Sequence, residues 1–170
     1  ESAIEQVTPI AVIVCTPPNL HVDQALVALS HGAHVFIEKP LSNSLDKVDM
    51  LTEKACSESK VVQVGYNWRF HEGLQKINRL LGKQEIGKVL SVRSEFGQYL
   101  PDWRPWQDYR QSYTAKSSMG GGIILDASHE IDYLRWFLGE IGQVYCWSGI
   151  QSDLNVDAED TASMIFRFES

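Results

Sequence analysis

Clustered positive charge, long apolar runs and cysteine are all scarce in this sequence. The 15 basic and 22 acidic residues give a net charge of −7 without any Lys/Arg cluster, which argues against a nucleic-acid partner. No apolar run approaches the length of a membrane span, and the N-terminus lacks a basic-then-apolar signal pattern. We therefore expect neither a membrane partner nor export. The three cysteines, Cys15, Cys56 and Cys146, lack metal-ligand spacing and predict buried or inert thiols in a reducing cytoplasm, with no metal site.

A regular alternation of strands and helices fills the first 65 residues. The apolar run Ile10–Cys15 is typical of a strand covered on both faces, and Pro17 and Pro18 end it. Apolar residues then recur at helical spacing from Leu20 to Ser30. The next predicted elements are a strand at His34–Ile37, a helix from about Ser44 to Ser57 and a strand at Val61–Gly65. This order predicts right-handed crossovers and a parallel sheet.

The pattern changes after Phe70, where longer loops and alternating strands replace the regular order. The elements predicted there are a helix at Gly73–Leu81 and strands at Val89–Phe96, Gln143–Ile150 and Ala162–Phe168. Alternation of apolar and polar residues in these strands suits an antiparallel sheet with one wetter face. The sequence thus predicts an α/β chain with a parallel-sheet domain over residues 1–70 and an α+β domain over residues 71–170.

Five motifs occur in a characteristic order along nearly the whole chain. They are Thr16-Pro-Pro-Asn-Leu-His21, Glu38-Lys39-Pro40, Gly65-Tyr-Asn-Trp-Arg-Phe70, Gly120-Gly-Gly-Ile-Ile-Leu-Asp126 with His129 and Asp132, and Val156-Asp-Ala-Glu-Asp-Thr161. The ordered set resembles the Gfo/Idh/MocA oxidoreductases, nicotinamide-dependent enzymes that act mostly on sugars, sugar nucleotides, inositols and related polyols. The resemblance implies a Rossmann-type parallel sheet followed by a mostly antiparallel sheet.

One landmark of nucleotide-binding folds is missing, because no G-x-G-x-x-G turn occurs in the sequence. That turn holds a pyrophosphate at a helix N-terminus. The resemblance implies that it lies upstream and that more sheet follows Phe168, so these residues correspond to roughly the middle half of such an enzyme. In the usual strand order, Ile10–Cys15 would then present a flat apolar edge. We expect this stretch by itself to be poorly soluble and inactive.

The first candidate catalytic residue is Lys39. It follows a predicted strand, and Pro40 stops the strand, so Lys39 is expected at the sheet edge where open α/β folds bind ligands. The resemblance implies that Lys39 hydrogen-bonds the substrate hydroxyl near the nicotinamide. A positively charged nicotinamide favours the neutral amine, which makes Lys39 a plausible proton acceptor near neutral pH. The alternative is an ordinary surface lysine at a strand end.

The second candidate cluster lies on a helix predicted for Gly122–Leu138. Asp126 and His129 are three residues apart, a spacing that brings side chains together on a helix, so the carboxylate would orient the imidazole. The resemblance implies that His129 is the acid/base partner of Lys39, and that Asp126 is its helper or a ligand of a substrate hydroxyl. This spacing departs from the inositol-dehydrogenase branch, which has four, and looks more like a surface-glycan and sugar-nucleotide branch. The alternative is a structural histidine paired with Asp126 or Asp132.

The same segment contains an acidic residue in an apolar position and a run of three glycines. Glu130 falls in the apolar arc of the predicted helix, where a free carboxylate is costly, and this predicts a buried pairing with an arginine such as Arg69. The triplet Gly120–Gly122 is either a flexible start to the helix or a place where backbone approaches a sugar closely.

Further site residues come from the resemblance. Those implied at the cofactor are Thr16, Pro17, Asn19, His21, Glu38, Lys39, Asn67, Trp103 and Arg104. His21 equally suits a packing role at the start of its helix, and Asn67 a packing role at a hinge. Tyr113 lies beyond the aromatic and polar loop Gln98–Trp106, which is typical of a lid over a polyol site, and we expect it to contact substrate. The alternative is that this loop packs on the second domain.

These observations predict an oxidoreductase that uses NAD or NADP on a sugar-like secondary alcohol, in which Lys39 takes the hydroxyl proton with help from His129. Two alternatives remain: a redox-neutral glycosidase or epimerase that recycles its cofactor, and a cofactor-binding repressor without turnover. The presence of Lys39, Asp126 and His129 together favours an enzyme. The resemblance also implies a homo-oligomer formed through the C-terminal sheet.

Overall fold

The computed structural model describes residues 2–169, and its first half is built on a three-stranded parallel sheet. The elements in chain order are α1 (Ser2–Val7), β1 (Ala11–Val14), α2 (His21–Ser30), β2 (His34–Ile37), α3 (Val48–Ser57) and β3 (Val62–Val64). The strands lie in the order β1-β2-β3, with Val14 opposite Ile37 and Ile37 opposite Val64. The predicted α/β class with a parallel sheet is confirmed.

The hydrophobic core of this half lies between the sheet and the helices α2 and α3. Leu29 and Ile37 are fully buried, and Val35 and Leu51 are nearly so. Burial of such an aliphatic side chain contributes about 1.5–3 kcal/mol. The packed layer therefore holds the strand ends, and the loops that leave them, in defined positions.

β1 differs from the prediction of a strand covered on both faces. Ile13 is 70% exposed and Ile10 is 84% exposed, whereas Val14 is buried. β1 forms the edge of the sheet, and side chains alternate between its faces, so only one face meets α2. α3 also begins later than predicted, at Val48, because Lys47 before it has a left-handed backbone angle (φ +59°) that does not continue a helix.

The second half contains helices joined by loops, followed by an antiparallel pair of strands. Its elements are α4 (Glu72–Gly82), α5 (Leu100–Trp103), α6 (Ile123–Asp126), α7 (Ser128–Leu138), β4 (Ile141–Gly149) and β5 (Thr161–Phe168). β4 and β5 pair from Gly149 and Thr161 to Ile141 and Phe168. The helix predicted for Gly122–Leu138 is interrupted at Ala127, which separates α6 from α7.

The predicted strand at Val89–Phe96 is wrong. Residues 89–99 have no regular structure, and in the part of the chain that the structure describes the antiparallel sheet consists of β4 and β5 alone. A cleft of about 820 Å³ lies between the segment, α7 and β5, and is lined largely by apolar side chains such as Val92, Ile131 and Phe168. The division of the chain at residue 70 stays a prediction.

Two expectations from composition have different outcomes. The expectation was of buried or inert thiols; Cys15, Cys56 and Cys146 are free and exposed, so the buried alternative is wrong and inertness stays a prediction. Cys15 directly follows the edge strand β1, and Cys146 lies in a two-stranded sheet, which explains why neither is covered. Within residues 2–169, no helix has the length and apolar character needed to cross a membrane.

Candidate active site

The carboxyl ends of the parallel strands meet at one edge of the sheet, and three of the sequence motifs begin there. Thr16 follows β1, Lys39 follows β2 and Tyr66 follows β3. This edge is where open α/β sheets bind ligands. The second half of the chain reaches the same place, because Lys39 Nζ donates a hydrogen bond of 2.5 Å to the main-chain oxygen of Asp126. The two predicted catalytic segments are therefore in contact.

Lys39 is half-buried, and this burial lowers the pKa of its ammonium group below the ordinary value. The carboxylates of Asp126, Glu38 and Glu130 act in the opposite direction, in that order, and the charge of Arg104 lowers the pKa slightly more. A lysine with a lowered pKa is neutral in a larger fraction of molecules near physiological pH. It is then able to accept a proton from a hydroxyl group.

Asp126 is buried and has two different carboxylate oxygens. Tyr113 donates a hydrogen bond of 2.9 Å from its hydroxyl to Oδ1, whereas Oδ2 is buried and has no hydrogen-bond partner among residues 2–169. Burial raises the pKa of Asp126, against the lowering effects of the Tyr113 bond and the Lys39 charge. Burial and Asp126 also raise the pKa of Tyr113 to about 12, so this hydroxyl keeps its proton at neutral pH.

His129 lies among aromatic rings rather than against a carboxylate. Its ring stacks on Trp68 with centroids 5.0 Å apart and an angle of 8°, and meets the edge of Tyr66 at 5.7 Å. Nδ1 is buried and lacks a hydrogen-bond partner in the part of the chain that the structure describes. Burial lowers the pKa of His129, and the charge of Lys39 lowers it further. The contact with Trp68 was not predicted, although Trp68 stands in the same motif as Tyr66, directly after a strand.

The predicted pairing of Asp126 with His129 is wrong, as is the pairing of Glu130 with Arg69. The break at Ala127 separates Asp126 and His129 onto different helices, and Tyr113 takes the Asp126 carboxylate. Arg69 instead forms a bidentate ion pair with Asp132, with bonds of 2.8 and 2.7 Å. Burial raises the pKa of Glu130. The alternative prediction was that His129 is a structural histidine paired with Asp126 or Asp132. The Nδ1 atom of His129 bonds neither of these carboxylates.

The glycine triplet lets other segments of the protein pack directly against its backbone. A Cβ on Gly121 would lie 2.3 Å from the Tyr113 carbonyl oxygen, and one on Gly122 would lie 2.4 Å from Glu159 Oε1. Glu159 also accepts hydrogen bonds from the main-chain nitrogens of Ile123 and Ile124, at the start of α6. The segment that contains Glu159 therefore supports the start of the helix that carries Asp126, a role that its acidic sequence did not indicate.

The residues implied at the cofactor differ in accessibility. Asn19, Glu38, Asn67 and Arg104 are exposed, and Thr16, Pro17 and Trp103 are partly exposed. The Thr16 hydroxyl bonds Gln24, and the Arg104 guanidinium lies 5.9 Å from the Tyr113 ring centre. Glu38 accepts a bond from the Lys39 main-chain nitrogen.

His21 contrasts with these residues because it is 1% exposed and both ring nitrogens face backbone carbonyls. Its side chain lies inside the junction between two loops, as the packing alternative predicts.

Two family models match this chain. Residues 1–66 match the NAD-binding Rossmann fold of the GFO/IDH/MocA oxidoreductase family, and residues 74–170 match the GFO/IDH/MocA C-terminal domain. The chain is 30% identical over 165 residues to myo-inositol 2-dehydrogenase of Thermotoga maritima, covering 94% of this chain and 46% of that protein. It is 34% identical over 140 residues to 2,7-anhydro-N-acetylneuraminate hydratase of Escherichia coli, covering 81% of this chain and 36% of that protein.

Solved structures share the fold. An inositol dehydrogenase homologue from Azotobacter vinelandii, crystallised with NAD+, superimposes with a TM-score of 0.86 at 23% identity. The superposition covers 99% of this chain and 46% of that one. The chain thus spans less than half the length of each of these three proteins.

Proposed function

Because the chain belongs to the Gfo/Idh/MocA oxidoreductase family, we propose that the protein transfers a hydride between a sugar-like secondary alcohol and NAD or NADP. The observation that carries the proposal is the 2.5 Å bond from Lys39 Nζ to the Asp126 carbonyl at the carboxyl edge of the parallel sheet. Beside that bond, Asp126 Oδ2 and His129 Nδ1 are buried polar atoms to which no described residue makes a hydrogen bond. Atoms in this state fit the hydroxyl groups of a polyhydroxylated substrate.

The chemistry of the sheet edge fits a nicotinamide cofactor. Asn19 and Asn67 expose amide groups there, and Arg104 exposes a cation that suits phosphate. When bound, the nicotinamide supplies the hydride acceptor or donor. We propose that Thr16, Pro17 and Glu38 complete the cofactor side, with Trp103 near the nicotinamide.

We assign Lys39 the role of proton acceptor in the oxidative direction. Burial lowers its pKa, which increases the fraction of neutral amine, and the Asp126 carbonyl holds the amine at the sheet edge. His129 also has a lowered pKa, so its ring is available as a neutral partner for that proton. Tyr113 and Asp126 then bind and orient substrate hydroxyls, and this positioning supplies much of the rate.

A second candidate function has its own support. The Escherichia coli relative at 34% identity is called a hydratase, and addition of water is redox-neutral. A recycled cofactor and the same proton acceptor would serve a reaction in which the substrate is oxidised only transiently. A cofactor-binding repressor is less well supported, since Lys39, Asp126 and His129 all lie at the site.

We also propose that the protein forms a homo-oligomer through β4 and β5, in the cytoplasm. Tyr145, Trp147 and Ile165 lie on one face of these strands and are 67%, 52% and 71% exposed. Apolar patches of this kind mark interaction surfaces. Sedimentation velocity of the protein and of a Tyr145→Lys, Ile165→Lys variant tests this: the variant is expected to sediment as the smaller species.

The experiment that tests the function uses the full-length protein and follows reduced-nicotinamide absorbance with each cofactor and a panel of free sugars, inositols, uronic acids and sugar nucleotides. Reduction with one substrate class is expected in the wild type and is expected to be lost in Lys39→Met, while titration shows cofactor binding retained. Lys76→Met, on the exposed side of α4, is the matched control. Equal turnover in Lys39→Met would contradict the assignment. Product formation without net reduction would favour the redox-neutral reaction.

A further inference from the structure

His21 is the most enclosed titratable side chain at the edge of the parallel sheet. It is 1% exposed and is the first residue of α2. Its Nδ1 lies 2.9 Å from the carbonyl oxygen of Pro40, and its Nε2 lies 2.7 Å from the carbonyl oxygen of Thr16. Thr16 follows β1 and Pro40 follows β2, so one ring joins the two loops that leave neighbouring strands.

The partners of the ring define its chemical form. A carbonyl oxygen only accepts hydrogen bonds, and a neutral imidazole has one N–H group. With one proton, the other nitrogen would point its lone pair at a carbonyl oxygen at hydrogen-bond distance, which is repulsive. A ring that carries a proton on each nitrogen satisfies both carbonyls, and charge-assisted bonds of this kind are shorter and stronger than neutral ones.

We propose that His21 is a positioning residue that, as a cation with a proton on each ring nitrogen, ties the loop after β1 to the loop after β2 and thereby fixes the main chain at Lys39. The bond to Pro40 acts on the residue next to Lys39 in the chain. A main-chain bond of 2.9 Å from the Glu38 nitrogen to the Val14 oxygen adds a second link, between the first residue after β2 and the last residue of β1.

The tie gives His21 a role other than contact with the cofactor. With the loop held at Pro40, the Lys39 side chain starts from a defined point and reaches the Asp126 carbonyl. Without it, we expect Lys39 to become more exposed and its amine pKa to rise towards the ordinary lysine value. The catalytic consequence rests on the proposed role of Lys39, whereas the tie itself does not.

The first test is nitrogen NMR of the protein labelled at its histidine side chains. The His21 signals are assigned by through-bond correlation to the His21 backbone amide, which requires no variant. Two protonated ring nitrogens, with N–H protons that exchange slowly because the ring is buried, are expected. A single protonated nitrogen would overturn the proposal.

The second test measures Lys39 in H21Q and H21F. Carbon-13 methylation of the lysines, with assignment by the signal missing in Lys39→Arg, reports the pKa of the Lys39 amine by NMR. The pKa is expected to rise in H21F, which has no donor, and to rise less in H21Q, which keeps one. H31Q is the matched control, because His31 bonds the Val27 carbonyl within its own helix region and does not join two loops.

Turnover measurements distinguish a failure of the His21 proposal from a failure of the proposed function. In H21F, kcat is expected to fall about tenfold to a hundredfold, the scale of a small misplacement at a reacting group, with less change in the KM for cofactor. Folded H21F with the wild-type Lys39 pKa would overturn the positioning role. A wild-type protein without turnover would contradict the proposed function, while the amine pKa would still decide on the tie.

Discussion

Lys39 Nζ donates its hydrogen bond to the main-chain oxygen of Asp126, a residue 87 positions later in the chain, and not to the Asp126 carboxylate. The contact joins the edge of the parallel sheet to the end of α6. Because a backbone carbonyl accepts the bond, the side chain at position 126 is free to bond Tyr113 and to present its second oxygen to a ligand. The same side chain still influences Lys39 through its charge.

Asp126→Asn is therefore expected to keep the Lys39 bond but to change its titration. The Asp126 charge raises the pKa of Lys39, so its removal lowers that pKa further. In the oxidative direction, activity rises with pH as Lys39 becomes neutral. This rising part of the pH profile is expected to move to lower pH in the variant. A pH profile of kcat/KM measures the shift, with exposed Asp153→Asn as the control. A rising part unmoved in the variant would argue against Lys39 as the base.

Tyr113→Phe removes a donor from a buried carboxylate. At neutral pH we expect a loss of about 1–3 kcal/mol in the free energy of unfolding, the usual effect of removing a hydrogen-bond donor from such a group. The Tyr113 bond lowers the pKa of Asp126, which burial raises, so the variant is expected to have a still higher pKa.

The loss in Tyr113→Phe is therefore present where Asp126 is ionised. It disappears as pH falls through the raised pKa towards the ordinary value of 3.8, because the protonated group needs no donor. Urea unfolding at neutral and acid pH measures it. Tyr99→Phe, at a tyrosine that is 61% exposed, is the control, and a loss that persists in acid would speak against this cause.

Trp68→Ala is expected to raise the pKa of His129 towards 6.5. Burial is the main cause of the lowered pKa, and the stacked indole ring provides part of that burial. An NMR titration of the His129 ring measures the change. Trp106→Ala is the control, since Trp106 is 79% exposed. The explanation fails if both variants titrate like the wild type.

Arg69→Lys tests the link between the segment after β3 and α7. A lysine cannot form the bidentate pair with Asp132, which is nearly buried, and we expect a loss of about 1–2 kcal/mol in stability, reduced by the partial exposure of Arg69. Arg93→Lys alters an exposed pair with Glu95 and is expected to cost less than about 0.5 kcal/mol. Equal losses in chemical denaturation would show that the bidentate geometry does not matter.

Gly122→Ala is expected to destabilise the site from its backbone. Gly122 has φ +111°, and a Cβ there would lie 2.4 Å from Glu159 Oε1, so we expect a cost of about 2 kcal/mol or more. Gly82→Ala is the matched control, because nothing lies within 4 Å of its added Cβ and alanine favours a helix. In thermal unfolding, the midpoint temperature is therefore expected to fall in Gly122→Ala and to rise in Gly82→Ala.

Local pattern predicted the parallel half of the fold well, and the reason is physical. Short apolar runs that end at proline or glycine, with amphipathic helices between them, allow few packings other than a parallel sheet with crossovers. The strand at Val89–Phe96 was predicted on the same grounds and did not form, because a strand also needs a partner ladder. A sequence pattern reports a tendency to pair and does not supply the pair.

The residues of the site were predicted individually, and their partners were not. Local spacing placed Asp126 beside His129, and the position of Glu130 in the apolar arc predicted a pairing with an arginine such as Arg69. In the structure, the break at Ala127 separates Asp126 from His129, and Asp126 bonds Tyr113 instead. Arg69 pairs with Asp132 and not with Glu130.

By itself, the sequence determined the alternating elements and brought Lys39 to the end of a strand. It also determined His21 as the start of a helix, because these features depend on neighbours in the chain. The tertiary structure alone decided which atoms bond Lys39, Asp126 and His21. Those partners come from segments distant in sequence, and the burial that shifts the pKa values exists only when those segments pack together.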